Sequence, residues 1–294
     1  MDVRRFVGAL GRALIISGVL ILLFVVYQLW GTGLAEGRSQ GRLTKSFNQA
    51  LAAPPAPPGA PAPAPPRAPE GEAVALIVIP KIKVDKAVVE GVGLPELKKG
   101  PGHFPATPMP GQPGNAAIAG HRTTYGAPFS RLDEMQPGDD IYVTTRQAPL
   151  PFRYEVSERK VVSPDATEVL NPTEDNRLTL STCEPRFSAA RRLIVVAILK
   201  GEAAQPPPEQ PSQPSTPAPP QSLAESERAG LSGANAANGP AIAWGLAAAL
   251  VGLLTWAMGR LWRRWPAYLL GIPAFLVVLF FFFENFSRLL PSNY

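Results

Sequence analysis

The sequence predicts an all-β domain, a closed barrel or a sandwich, carried between membrane-spanning helices. Three observations predict it. Gly71 to Glu202 consists of short β-rich runs at turn-separated intervals, with room only for brief helices between them. Both ends of the chain carry long apolar runs flanked by arginine, as membrane spans do. The prolines, 35 of 294 residues, gather in two blocks that separate those runs from the β-rich segment.

In chain order, Ala13 to Trp30 is about 18 residues without a charge, enough to cross the hydrocarbon core. Arg4, Arg5 and Arg12 precede it, which sets residues 1–12 in the cytoplasm and the following residues outside. Tyr27 and Trp30 suit an interfacial belt. A cleaved signal peptide is the alternative, with Gly33-Leu34-Ala35 as a weak cleavage site, but the length of the run favours an uncleaved anchor over 13–30. Residues 31–70 read as an extracellular stalk. Ala52 to Pro69 is almost wholly Pro and Ala, cannot bury a core, and should extend as polyproline II at about 3.1 Å per residue.

At the other end, 203–240 is a second linker, Pro-, Gln- and Ser-rich from Gln205 to Pro220. Spans at 241–258 and 268–283 flank an arginine-rich turn, 259–267, that belongs in the cytoplasm, and 284–294 is a tail. The third run is short and carries Pro273, so a re-entrant segment is its alternative. The formal charge of +5 is thereby explained as topology. No basic stripe interleaved with aromatics argues for nucleic acid as a partner. The expected placement is a multi-pass protein of the cell membrane, its partner the lipid bilayer, with the middle of the chain outside.

Within 71–202 the candidate strands are Ala75–Ile79, Ala87–Val89, Ala116–Ala119, Asp140–Thr144, Phe152–Val162, Leu178–Thr182 and Leu193–Leu199. Phe152-Arg153-Tyr154-Glu155-Val156 alternates apolar and polar, as a half-buried strand does. Short helices fit only at Leu94–Lys98, Phe129–Met135 and Asp165–Leu170.

Cys183, the one cysteine in the chain, follows Thr179-Leu180-Ser181-Thr182 at a strand end. A lone cysteine is most often a small buried hydrophobe. This one lies where disulfides normally form yet cannot form one within the chain, which points to a nucleophile. His121 stands just past the short strand Ala116–Ala119 and is a candidate general acid or base, with an ordinary pKa of about 6.5. Strands Leu178–Thr182 and Leu193–Leu199 read as antiparallel neighbours, which brings Cys183 beside Arg191 or Arg192. A guanidinium there would donate hydrogen bonds to a carbonyl or an oxyanion. The tandem leaves the choice between the two open. One cysteine and two histidines at no ligand spacing argue against a metal, and nothing calls for a cofactor.

Thr179-Leu180-Ser181-Thr182-Cys183, followed by Arg192-Leu193-Ile194-Val195, with Gly100-Pro101-Gly102-His103-Phe104-Pro105-Ala106-Thr107, Pro110-Gly111-Gln112-Pro113-Gly114-Asn115 and Ala119-Gly120-His121-Arg122-Thr123-Thr124-Tyr125-Gly126 upstream, resembles the sortases, most of all class E. These are membrane-anchored cysteine transpeptidases of Gram-positive bacteria. The resemblance covers roughly Leu76 to Lys200 and implies a closed eight-stranded sortase β-barrel for 71–202. It implies Cys183 as nucleophile, His121 as acid/base and, because the family arginine directly precedes the apolar strand, Arg192 as the clamp on substrate and oxyanion. It also implies Tyr125 and Thr182 as substrate-site residues, Tyr125 linked to preference for Leu-Ala-x-Thr-Gly over Leu-Pro-x-Thr-Gly signals. His103 belongs to a motif of the branch without an assigned chemistry. The implied partners are secreted proteins with C-terminal sorting signals and an amine of a peptidoglycan precursor or cross-bridge. A pilin-polymerising enzyme, a hydrolase using the same site, and a non-catalytic binding barrel are the alternatives.

Overall fold

The structure is a computed structural model that describes residues 3–52, 68–148, 150–204, 238–261 and 264–287. The described residues fall into two compact units, one from 3–31 with 238–287 and one from 32–204.

The second unit is a closed barrel. Its strands are β1 (Ala73–Ile79), β2 (Val84–Glu90), β3 (Gly102–His103), β4 (Asn115–Ala119), β5 (Asp140–Thr145), β6 (Phe152–Val162), β7 (Arg177–Glu184) and β8 (Arg191–Lys200). Around the barrel they run β1-β2-β3-β4-β7-β8-β6-β5. Pairing is parallel at β2/β3 and β4/β7 and antiparallel elsewhere. Every run expected as a strand is one. The eighth, β3, is two residues long and carries no pattern of its own; it bridges β2 and β4.

Alternation decides which residues fill the barrel. Ile118 from β4, Leu178 and Leu180 from β7, and Leu193 and Val195 from β8 meet Ile77, Ile141 and Phe129 in one buried cluster. Fully burying each such side chain contributes about 1.5–3 kcal/mol. Tyr154 joins them, its hydroxyl accepting from Gly111 N–H at 2.7 Å, and burial pushes its pKa up to about 12. The intervening residues of β4, Ala117 and Ala119, face outward and are covered by Val92, Phe104, Leu170 and Leu97 of the short helix α3 (Leu94–Leu97). The outer face of β4 is therefore covered by the loops around α3 and by Leu170.

The stalk expected over 31–70 is corrected in its first part. Thr32–Leu51 is a 20-residue helix, α2, packed on β1 and β2, while residues 53–67 lie outside the described residues. Thr32, Glu36, Gln40 and Phe47 are its buried positions. They fall on one helical stripe, but three of the four are polar, so hydrophobic periodicity could not reveal the helix. Phe47 is fully buried against Ala73 and Ala87 with the Arg146 guanidinium 5.7 Å from its ring. The second linker, 205–237, also lies outside the described residues.

The first unit holds α1 (Val3–Val26), α4 (Gly239–Leu261) and α5 (Arg264–Ser287), with a π turn at Tyr27–Gly31. Three stretches are long and apolar enough to cross a membrane: Phe6–Val26, Gly239–Leu261 and Trp265–Ser287. The last is continuous through Pro273. In the α4/α5 hairpin Gly245, Gly252 and Gly259, spaced by seven, lie beneath the rings of Phe282, Phe275 and Tyr268, also spaced by seven. A heptad of glycines opposite a heptad of aromatics lets two antiparallel helices approach closely, the means by which apolar helices associate without water. Phe24 and Tyr27 at the end of α1 pack on Phe283 and Phe280 of α5, with centroids 5.1 and 5.4 Å apart.

Candidate active site

Strand register builds the site. In the parallel pair β4/β7, Ala119 lies opposite Ser181. Two residues further along each strand direction come His121 and Cys183. In the antiparallel pair β7/β8, Cys183 lies directly opposite Arg192, and Glu184 opposite Arg191. Cys183 of β7 thus lies opposite Arg192 of β8, and His121 stands in the loop that follows the end of β4, the strand on the other side of β7. Leu178 and Leu180 point inward, so alternation puts Ser181 and Cys183 on the outer face of β7. Of the two arginines, Arg192 is buried and Arg191 is exposed.

The backbone around His121 is held from both sides. Gly120 N–H donates to Ser181 C=O at 3.0 Å, and the Thr182 hydroxyl donates to Gly120 C=O at 2.7 Å. Thr182 is therefore a tie between β7 and the residue before His121. Phe129 N–H donates to His121 C=O at 3.1 Å. A Cβ at position 120 would meet the Phe129 ring at 2.6 Å, which is why glycine stands there. Tyr125 places its ring centroid 5.3 Å from that of His121, tilted by 37°, and Lys98 Nζ stands 5.5 Å from the Tyr125 ring. The structure brings all five expected site residues to one place.

Electrostatics set the resting state. Burial, and secondarily the Lys98 charge, lower the His121 pKa from 6.5 to about 4. His121 Nε2 has no hydrogen-bond partner among the described residues. Burial pushes the Cys183 thiol up, while the Arg192 and Arg122 charges pull it down without prevailing. The resting pair at neutral pH is then a thiol and a neutral imidazole. Burial lowers the Arg192 pKa as well, though a guanidinium keeps its proton in proteins. Arg192 Nη1 donates to Ala189 and Arg191 carbonyls at 3.0 Å each, which fixes the fork beside Cys183.

Sequence reasoning missed Arg122. Its Nη1 donates to Cys183 C=O at 2.9 Å and pairs with Glu184, and its Nη2 stands 3.1 Å from Asp133. This buried cation ties the strand end carrying the thiol to the 3-10 turn at Leu132–Glu134. The only signal was its position next to His121. His103 is engaged elsewhere: its Nδ1 lies 2.8 Å from Glu90 Oε2 and its Nε2 3.0 Å from Pro108 C=O. Among the described residues no group of three or more His, Cys, Asp or Glu could hold a metal ion.

Residues 77–200 match the sortase domain family. The chain is 33% identical over 202 residues to sortase SrtE1 of Streptomyces coelicolor, covering 64% of this chain and 55% of that protein. It is 33% identical over 116 residues to sortase D of Bacillus subtilis, covering 39% and 56%. The chain thus spans a little over half the length of these curated relatives. Among solved structures, sortase E from Streptomyces avermitilis is 36% identical, with 46% of this chain and 91% of that chain covered and a TM-score of 0.42.

Proposed function

Residues 77–200 belong to the sortase family, with class E sortases among their relatives, and on that premise we propose that the chain is a membrane-anchored cysteine transpeptidase. It cleaves a Leu-Pro/Ala-x-Thr-Gly-type sorting signal between Thr and Gly and transfers the protein to a cell-wall amine. The observation that carries this reading is the register that sets Cys183 opposite Arg192 on β8, with β7 paired on its other side to β4, the strand that leads into His121.

The chemistry starts from the neutral pair. As Cys183 Sγ attacks the threonyl carbonyl carbon, its proton passes to His121 Nε2, and Arg192 donates to the oxyanion that forms. The tetrahedral intermediate collapses with loss of the C–N bond, and the His121 imidazolium returns its proton to the leaving glycine amine. An acceptor amine then attacks the thioester, gives a proton to His121, and the Cys183 thiolate leaves and is reprotonated. Burial of both partners makes the charged pair scarce at rest, so a low kcat is expected. Thr182 and Arg122 hold the reacting strands in register. Tyr125, against the His121 ring, bears on the residue after the signal's leucine.

The arrangement in the first unit supports a multi-pass placement with the barrel outside. The C-terminal ends of α1 and α5 meet, and Trp244 near the start of α4 stacks on Phe281 near the same end of α5. The chain therefore leaves α1 and enters α4 on one side, opposite the arginine-rich turn.

The test uses the full chain in detergent with Leu-Ala-x-Thr-Gly and Leu-Pro-x-Thr-Gly peptides and an added amine. Amine-linked product from the wild type and none from Cys183→Ala supports the reading, and preference for the alanine peptide supports class E specificity. Only hydrolysed product, unchanged by amine, would make the protein a peptidase instead.

A further inference from the structure

The loop after His121 is strained, and part of what holds it comes from outside the barrel. Tyr125, Gly126 and Ala127 have φ of 49°, 72° and 42°, three consecutive left-handed residues. For the two that are not glycine this conformation is unfavourable, and it persists only where the surroundings over-determine it. Glu36 of α2 supplies one such surrounding. Its carboxylate lies so close to the Gly126 Cα that an added Cβ would meet Glu36 Cδ at 2.7 Å. Glu36 is only 2% exposed, and Lys86 Nζ donates to its Oε1 at 2.7 Å.

One turn further along α2, Gln40 ties the helix to β2 and to the segment after α3. Its Oε1 accepts from Ala87 N–H at 2.7 Å, and its Nε2 donates to the carbonyls of Ala87 and Lys99 at 3.0 and 2.8 Å. Lys99 adjoins Lys98, the cation beside Tyr125. Helix α2 therefore bears on Tyr125 from two directions, through Gly126 and through the Lys98–Lys99 backbone.

We propose that Glu36 is a positioning residue for the substrate site: through Gly126 it holds Tyr125 in place beside His121, with Gln40 fixing the segment that carries Lys98. That this is a substrate site rests on the sortase reading. The consequence is that recognition of the signal peptide depends on a helix that begins, in sequence, where the first apolar segment ends.

The experiment compares the full-length wild type, Glu36→Ala, Gly126→Ala and the double variant in detergent. Hydrogen exchange reads the amides of Ala127, Phe129 and Ser130, which close the loop's turns. Glu36→Ala should speed their exchange about tenfold and leave the β7 amides unchanged. In peptide transfer, Glu36→Ala should raise KM about five- to tenfold with kcat altered less than about twofold, a split that general destabilisation would not give. Gly126→Ala should lose activity because its Cβ meets Glu36, and adding Glu36→Ala should restore part of the loss. Unchanged exchange, an unchanged KM, or strictly additive variants would overturn the proposal. A wild type that transfers nothing would sink the sortase reading instead, and the exchange measurements would still decide whether Glu36 holds the loop.

Discussion

Lowering the pH from 7 to 4 should remove a definite share of the barrel's stability through His121 alone. In the folded protein burial and the Lys98 charge hold this ring's pKa at about 4, against 6.5 for an ordinary histidine. The folded-state value is depressed, so the unfolded chain takes up a proton below about pH 6.5 that the folded chain refuses until about pH 4. Stability from this residue is complete above pH 6.5 and falls as the pH drops toward 4. At about 1.4 kcal/mol per pH unit over that window, the loss is about 3 kcal/mol. The chain has two histidines, so carbon-13 histidine NMR of the full protein gives two ring titrations, assigned with His121→Asn. Urea unfolding at pH 7 and pH 4, followed by far-ultraviolet dichroism, gives the energy. His121→Asn should reduce the pH 7 to pH 4 difference by about 3 kcal/mol. A His121 ring that titrates near pH 6.5, or a variant with the wild type's acid sensitivity, would refute a His121 pKa held down by burial.

Other changes follow from the same site. If Arg192 donates to the oxyanion as proposed, Arg192→Ala should lower kcat about 10²–10³-fold with KM little altered; steady-state peptide kinetics check it, and Arg192→Lys should recover only part. Arg122→Leu leaves the Cys183 carbonyl buried without its donor and should cost roughly 1–3 kcal/mol in urea unfolding. The same variant removes a cation near the thiol, so alkylation of Cys183 at pH 7 should slow. Phe47→Ala, at a fully buried site, should cost about 3–5 kcal/mol if α2 and the barrel unfold together, and otherwise expose α2 to proteolysis at unchanged barrel stability.

The barrel was legible because its strands alternate or run apolar and are punctuated by Gly and Pro, and the Cys183–Arg192 pairing because a hairpin's register is fixed by its ends. What escaped has physical reasons. The two residues of β3 are strand only because β2 and β4 lie on either side. The buried stripe of α2 is Thr32, Glu36, Gln40 and Phe47, of which Glu36 is held by an ion pair and Gln40 by hydrogen bonds, so the stripe leaves no periodic apolar signal. Arg122 acts on Cys183 and Glu184, more than 60 residues on in sequence, and only the parallel β4/β7 pairing brings them together. Pattern alone could not choose between Arg191 and Arg192; burial and register separate them.

The central claim is that Cys183 carries the substrate. The full-length protein incubated with a Leu-Ala-x-Thr-Gly peptide, acid-quenched and examined by intact and peptide mass spectrometry, should show a peptide mass lacking glycine attached at Cys183, which disappears on adding an amine as the amine-linked product forms. A Cys183 that stays unmodified while Cys183→Ala processes the peptide as well as the wild type would contradict the account.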